Sequence, residues 1–108
     1  MYSVSGNVIT LTRGDTFNAT ISIIDAQGSP YTPDAEDVIR FAVKRTAYDR
    51  DPLINKTIDH ETMMLTLVPA DTKSLDFGTY IFDVEITFAD GSVDTFISGK
   101  LNITVEVH

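Results

Sequence analysis

The two histidines, His60 and His108, are the first residues to test for catalysis. His60 follows Asp59 in a segment, 59–62, that is typical of a turn. A serine–histidine–aspartate site through His60 would need a preorganised nucleophile, and the sequence contains no nucleophile-elbow motif. We therefore expect His60 to be an exposed turn residue.

Clusters of carboxylates offer the second kind of chemistry. Glycosidases use a pair of carboxylates, but Asp34, Glu36 and Asp37 fall in a loop, where acidic side chains are usually solvated. Residues 49–51 and 90–94 could supply oxygen ligands to calcium, yet neither has the spacing of a known calcium loop. There is no cysteine, phosphate loop or dinucleotide fingerprint. The sequence thus predicts no catalytic, cofactor-binding or metal-binding residue, and no enzyme.

Short recognition motifs have simpler interpretations. Arg13-Gly14-Asp15 spells an adhesion tripeptide, but glycine and aspartate at this point are typical of a turn between strands. Without a secretion signal, N-x-T sequences are interpreted as strand residues rather than glycosylation sites. These sequences begin at Asn18, Asn55 and Asn102. A sugar-binding module would display aromatic side chains, and we expect edge packing instead for the candidates Tyr2, Tyr31, Tyr48 and Phe96.

Composition excludes several classes of partner. The 108 residues correspond to one domain, 1–108, and carry a net charge of −8, with eight Lys and Arg against sixteen Asp and Glu. Nucleic-acid binding needs a basic face, so it is not expected. No apolar run is long enough to span a membrane. The absence of cysteine fits folding in a reducing cytoplasm.

One long segment, 79–88, determines the predicted fold class. Its residues alternate with a period of two, which indicates a half-buried strand. The apolar face consists of Tyr80, Phe82, Val84, Ile86 and Phe88, and the other face of Ile81, Asp83, Glu85 and Thr87.

Similar patterns occur along the whole chain, with turn residues between them. They predict strands at 8–12, 16–24, 38–44, 53–58, 63–68, 79–88, 92–98 and 101–107. Residues 69–75 favour a single helical turn. Asp90-Gly91 predicts a two-residue hairpin turn, and Gly99 a bulge or bend. The predicted fold is all-β, an immunoglobulin-like antiparallel β-sandwich of about eight strands.

A tyrosine corner supports that architecture. Asp76, Gly78 and Tyr80 match its D-x-G-x-Y pattern, in which the tyrosine hydroxyl bonds to backbone just upstream. Phe82 occupies the position of the second cysteine of antibody domains, so apolar packing would replace the disulfide. We expect its partners to be Phe41 and two residues of the 16–24 strand, Ile21 and Ile23.

The strands 38–44 and 79–88 would be neighbours in such a sheet. Their solvent-facing sides then bring Arg40 and Lys44 beside Asp83 and Glu85. Opposite charges across a strand pair contribute roughly 0.2–1 kcal/mol each. We interpret this pattern as a solvated sheet face whose charges neutralise one another.

The order of these features resembles a family of small β-sandwich proteins of phages and prophages of Gram-positive bacteria, and is similar to the N-terminal domain of upper baseplate proteins. The segments that carry the resemblance are 9–17, 28–31, 38–44, 67–72, 75–84, 90–95 and the last strand, 101–107. The resemblance implies a tail- or baseplate-associated virion structural protein that binds other phage structural proteins and forms a homo-oligomer. Its location would be the virion, or the bacterial cytoplasm before assembly.

Proteins of that type continue into a long stalk, whereas this sequence ends at His108, which favours a stand-alone virion or accessory protein. The expected contact regions are the loops 29–37 and 46–52, and the exposed edge at 4–12 or at the last strand could pair with the edge of a neighbouring protein. Two alternatives stay open. One is a cell-surface adhesion or carbohydrate-binding module, and the other is a small hydrolase on a β scaffold.

Overall fold

The computed structural model describes residues 2–5, 7–24, 27–46 and 48–105, with the backbone alone for 2–5. These residues form ten strands and one short helix, so the prediction of an all-β chain is confirmed. The elements are β1 (Tyr2–Ser5), β2 (Val8–Thr12), β3 (Phe17–Thr20), β4 (Ile23–Ile24), β5 (Pro30–Tyr31), β6 (Val38–Lys44), β7 (Ile54–Ile58), β8 (Met64–Leu67), α1 (Pro69–Lys73), β9 (Gly78–Thr87) and β10 (Val93–Thr104).

Six of the strands form one sheet in the order β1-β2-β10-β9-β6-β7. The prediction of purely antiparallel pairing is wrong, because β2 and β10 run parallel, with Ile9 opposite Leu101. These strands are far apart in sequence, so no tight hairpin forces them to be antiparallel. The predicted exposed edges are also wrong for 8–12 and the last strand, since both strands lie inside the sheet. Its edges are β1 and β7.

Two smaller sheets complete the fold, β3 with β8 and β4 with β5. The predicted strand 16–24 is interrupted at residues 21 and 22, where the amide of Ile21 bonds instead to the carbonyl of Met63 at 2.7 Å. Met63 itself has a positive φ of 54°. The chain therefore leaves the β3–β8 pair and begins a new pair. This division and the strands β1 and β5 add three strands, whereas the two predicted strands 92–98 and 101–107 form the single strand β10, so the described residues contain ten strands rather than the predicted eight.

The core lies between the six-stranded sheet and the β3–β8 pair. On β6, Ile39, Phe41 and Val43 are fully buried, as their alternation predicted. Phe17 of β3 and Leu65 of β8 belong to the same apolar cluster. The alternation along β9 is confirmed in the same way, since its buried residues are Tyr80, Phe82, Val84 and Ile86.

The helix α1 confirms the predicted helical turn and begins at Pro69. Proline loses no hydrogen bond at this position, because the first amide groups of a helix have no acceptor within the helix. The Asp71 carboxylate accepts a hydrogen bond of 2.8 Å from the amide of Val68, which precedes the helix. Asp71 also pairs with Lys56 of β7 at 3.0 Å. No helix of the described residues is long and apolar enough to cross a membrane.

The hairpin between β9 and β10 differs from the predicted two-residue turn. Phe88 and Ser92 pair through a hydrogen bond of 2.8 Å from amide to carbonyl, so the loop contains the three residues 89–91. The amide of Gly91 bonds back to the carbonyl of Phe88 at 2.9 Å, and Gly91 has a φ of 89°. A tight turn closed by a left-handed glycine is the usual three-residue hairpin.

The bulge predicted at Gly99 lies elsewhere. The register between β10 and β9 shifts between Thr95 and Ile97, which leaves Phe96 as the extra residue. Gly99 lies within the strand, where a Cβ atom would overlap the carbonyl oxygen of Asn7. That oxygen accepts a hydrogen bond of 2.9 Å from the amide of Lys100. Glycine is thus required for a close backbone approach, not for a bulge.

Substitution of Phe82 by alanine should lower the free energy of unfolding by about 3–5 kcal/mol, because the cavity left behind cannot fully collapse. The ring is 6% exposed and its centroid lies 5.4 Å from that of Phe41. Urea denaturation followed by circular dichroism measures the change. The control is Val93→Ala at an exposed strand position, which should stay within about 0.5 kcal/mol of the parent. Equal effects of the two substitutions would contradict this packing.

Candidate functional site

The corner before β9 is held by a hydrogen bond from the Tyr80 hydroxyl to the Asp76 carbonyl, 2.7 Å long. This confirms the hydrogen bond predicted from the D-x-G-x-Y pattern. Arg45, directly after β6, donates to the same hydroxyl at 3.0 Å and lies 3.9 Å from the Asp76 carboxylate. The Tyr80 side chain is 1% exposed. Its polar atom is therefore satisfied from both sides, as a buried hydroxyl requires.

The Arg13-Gly14-Asp15 tripeptide packs against the same corner. The Arg13 guanidinium lies 4.3 Å from the centre of the Phe77 ring and donates to the Leu75 carbonyl at 3.5 Å. The Gly14 amide donates to the buried hydroxyl of Thr72 in α1 at 2.9 Å. The tripeptide is half-buried and connects β2 to the helix. This supports the interpretation as a turn over that of a displayed adhesion motif.

The acidic loop 34–37 uses its carboxylates to brace its own backbone. One Asp37 oxygen accepts hydrogen bonds from the Tyr31 hydroxyl at 2.7 Å and from the Asp34 amide at 3.2 Å. The Asp34 carboxylate accepts one from the Glu36 amide at 3.1 Å. The pKa of Tyr31 is raised to about 12. The hydrogen bond to Asp37 is the largest cause, followed by burial and by the negative charges of Asp37 and Asp34. The carboxylates act here as turn acceptors.

The two segments considered for calcium have the same local role. Asp49 accepts hydrogen bonds from the amide and hydroxyl of Thr46, at 3.0 and 3.3 Å. Asp90 accepts two from Ser92, at 2.9 and 2.6 Å, and these bonds lower the pKa of Asp90. Among the described residues, no group of three or more His, Asp or Glu side chains is arranged to hold a metal ion.

His60 lies in the predicted turn but is half-buried, with a side-chain exposure of 30%, so the expectation of an exposed residue is wrong. Its ring nitrogens lie 3.7 Å from an Asp59 oxygen and 3.9 Å from a Glu61 oxygen. Both distances exceed the length of a hydrogen bond. The ring packs in a groove that also contains Met63 and Pro33. His108 lies outside the described residues.

The aromatic candidates separate into two groups. Tyr31 stacks on Phe96 with ring centres 6.2 Å apart, and its edge meets Phe88 at 6.1 Å, which confirms the expected packing of Tyr31 and Phe96. Tyr48 is 96% exposed, so the expectation of edge packing is wrong for this residue. The side chain of Tyr2 lies outside the described residues. Among the described residues, Tyr48 is therefore the most exposed aromatic side chain, followed by Phe77 at 43%.

The outer face of the large sheet brings the predicted charges together. Strands β6 and β9 are neighbours, with Arg40 directly opposite Glu85 and Ala42 opposite Asp83. Lys44 follows on the same side of β6. We call Arg40, Lys44, Asp83 and Glu85 the charged face. The prediction that these side chains share a solvent-facing surface is confirmed, and the small Ala42 leaves a shallow depression among them.

The sequence did not reveal that the loop 46–52 joins this face. Arg50 and Pro52 of the loop, together with Asn55 of β7, line the same depression. The Leu53 amide donates to the Val43 carbonyl at 2.7 Å, so the residue that follows the loop lies beside the end of β6. Only the register of β7 against β6, in which Asn55 lies opposite Ala42, brings these residues together. The candidate site is thus the charged face with Tyr48 on the adjoining loop.

Comparison with known proteins adds no assignment to this geometry. No protein-family model matches the chain, and no curated protein or solved structure matches it. The function is therefore argued from the site itself.

Replacing Tyr80 by phenylalanine tests the corner. The change removes the donor to Asp76 and leaves the Arg45 group without its acceptor, so we expect a loss of about 1–2 kcal/mol of unfolding free energy. Tyr48→Phe is the matched control, because that side chain is almost fully exposed. Urea denaturation of both variants measures the difference. If the two variants were equally stable, the corner would not contribute to stability.

The raised pKa of Tyr31 predicts a change of stability at alkaline pH. The folded-state pKa of about 12 exceeds the ordinary value of 10.0. The stabilisation that the protonated Tyr31 hydroxyl gives to the folded state is therefore complete below pH 10 and declines as the pH rises towards 12. Phenolate absorbance of the folded protein should show a late step that Tyr31→Phe abolishes. Asp37→Asn should move the step to lower pH because it removes the anionic acceptor. A late step that persists in Tyr31→Phe would contradict the assignment.

Proposed function

We propose that the chain is a non-enzymatic structural or assembly module of a phage or prophage particle, associated with the tail or baseplate. It acts through contacts with other phage or prophage structural proteins, in the virion or in the bacterial cytoplasm before assembly. The observation that carries the proposal is the exposed Tyr48 on a loop that borders a charged depression. This combination is typical of a protein-binding surface and offers no reaction centre.

We also propose that the fold is an immunoglobulin-like sandwich. In that fold the strands C, F and G form one sheet and B and E face them. Here β6, β9 and β10 are adjacent in one sheet, and β3 pairs with β8 in another. The tyrosine corner supports the same assignment, because it occurs at the start of strand F after the connection from strand E. Tyr80 lies near the start of β9, after α1.

The resemblance to baseplate domains is consistent with this scaffold. Its segments 38–44 and 75–84 include β6 and the first part of β9, which are neighbours in the six-stranded sheet. The segment 9–17 reaches from β2 to β3 through the turn that packs on α1. These segments build a braced domain, and a braced domain can present a loop without reorganising on binding.

Tyr48 has the properties of a binding anchor. A tyrosine side chain contributes a large contact area at a low cost in conformational entropy, because it has only two rotatable bonds. Tyrosine is also frequent among the residues that dominate binding energy. The loop beneath it is ordered by the Thr46–Asp49 hydrogen bonds. Arg50 follows Tyr48 by two residues in the sequence. Arginine, like tyrosine, is enriched in protein interfaces.

The chemistry of the described residues supports a non-enzymatic role. Asp34, Asp37 and Asp90 accept hydrogen bonds from nearby backbone and hydroxyl groups. Asp83 and Glu85 share their depression with the cations Arg40, Lys44 and Arg50, an arrangement typical of a solvated charged surface.

The alternative of an adhesion or carbohydrate-binding module is favoured by one observation, the exposure of Tyr48. Sugar sites usually combine a ring face with polar side chains, and Arg50 and Asn55 line the depression beside the loop. A glycan array decides between the proposals. Clear binding that is lost in Tyr48→Ala would favour the sugar-binding module, whereas an array without hits would leave protein binding as the function.

The experiment for the main proposal uses the genes beside the one that encodes this chain. Each neighbouring product is expressed with the tagged chain, and we expect a tail or baseplate protein to co-purify. Tyr48→Ala should weaken that complex at least about tenfold in Kd. Val93→Ala, an exposed apolar residue on β10, is the matched control. Neighbouring genes without virion products, and no co-purification, would overturn the proposal.

A further inference from the structure

The charged face consists of two parallel columns of opposite sign. One column lies on β6 and contains Arg40 and Lys44, and the other lies on β9 and contains Asp83 and Glu85. The register places Arg40 level with Glu85, and Ala42 level with Asp83. All four charged side chains lie on the side of the sheet that is opposite the core, because their neighbours Phe41, Val43 and Val84 are fully buried.

Such a pattern is complementary to itself. A two-fold axis parallel to the strands, between β6 and β9, turns one sheet face onto another and exchanges the two columns. Since the rotation keeps each residue at its level along the strand, Arg40 of one copy then lies over Glu85 of the other. Lys44 reaches Asp83 of the other copy diagonally. Two-fold interfaces require this kind of self-complementary patch.

The charge of the whole molecule makes this face distinctive. The chain carries sixteen acidic and eight basic residues, a net charge of −8, so two copies repel each other in most orientations. The two cations and two carboxylates of the charged face cancel, and two more positive charges border it, Arg50 at its rim and Lys100 opposite Ile81 on β10. A second copy therefore meets charges of both signs here, whereas the net charge of the rest of the molecule is negative.

We propose that the charged face is a homodimer interface whose occupant is a second copy of this chain, related by a two-fold axis along the strands. The proposal rests on the proposed function, in which the chain acts through protein contacts, and names one of those contacts. Ala42 and the half-buried Ile81 lie between the charges. They let the two sheets approach closely, while the charges set orientation and register.

The size of the face indicates a reversible dimer. A surface four strands wide and about seven residues long measures roughly 19 by 24 Å at the usual strand spacings. The area that this surface can bury lies at or below the lower end of the range for specific protein interfaces. Exposed charge pairs add little affinity individually but discriminate strongly against wrong partners. We therefore expect association at concentrations of about 0.1 mM and above, which corresponds to Kd values in that range.

Charge reversal tests the proposal with two matched variants. Arg40→Glu with Lys44→Glu makes the face wholly acidic, and Asp83→Lys with Glu85→Lys makes it wholly basic. Each variant alone should be monomeric in sedimentation equilibrium, whereas the unchanged chain should dimerise. An equimolar mixture of the two variants should form a heterodimer, seen by native mass spectrometry, with at least about tenfold tighter binding than either variant with itself. Circular dichroism checks that each variant is folded.

Three results would overturn the proposal. The unchanged chain could remain monomeric up to millimolar concentration. Both reversed variants could dimerise as well as the parent does, which would place the contact elsewhere. The mixture could fail to form a heterodimer although both variants are folded. Salt is a poorer test, because it screens the attraction within the face and the repulsion between the acidic molecules together.

The outcome is separable from that of the proposed function. If a tail or baseplate protein co-purifies with the chain but the charge-reversed pair stays monomeric, only the dimer is wrong. If the heterodimer forms and no such protein co-purifies, the dimer stands and the virion role is wrong. Met64→Ala, at an exposed position on β8 in the other sheet, serves as a further control, since it leaves all four charges in place and should leave the dimer unchanged.

Discussion

The alternation of buried and exposed side chains along β9 is the constraint on which the rest of this structure depends. Tyr80, Phe82, Val84 and Ile86 enter the core while the residues between them face outward. A slip of one residue in the pairing of β9 would bury Asp83 and Glu85 and expose the rings. The cost of burying unpaired carboxylates therefore fixes the register. The same register places Glu85 opposite Arg40, so the core also determines the pattern of the outer surface.

The corner at Tyr80 shows how a chain without disulfides fixes the position of its central strand. A single hydroxyl joins the Asp76 backbone to Arg45, and thus ties the entry of β9 to the end of β6. The turn after β2 is tied to the same region through Gly14 and Thr72. Three connections that are distant in sequence meet at one end of the domain. Their hydrogen bonds are satisfied within the fold, which makes this end a rigid base.

The polar groups of the charged face differ from those of the turns and of the corner at Tyr80. Loop carboxylates such as Asp34, Asp49 and Asp90 accept hydrogen bonds from nearby backbone, whereas the four side chains of the charged face are presented on regular strands. Strands hold side chains at fixed spacings, so the positions of charges on neighbouring strands are fixed relative to one another. The exposed Tyr48 belongs to the loop whose residues Arg50 and Pro52 line the depression of this surface. Recognition by area and charge is consistent with these features, and it needs no preorganised reactive group.

The sequence alone determined the local and periodic features. Strands 8–12 and 38–44 were predicted at their observed bounds, because alternating apolar residues between turn residues leave little choice of structure. The Tyr80 hydrogen bond followed from a five-residue pattern. The tertiary structure alone decided the parallel pairing of β2 with β10, the close approach at Gly99 and the joining of Arg50 to the charged face. These features connect residues that are distant along the chain or depend on exact register, and periodicity carries no information about which strands become neighbours.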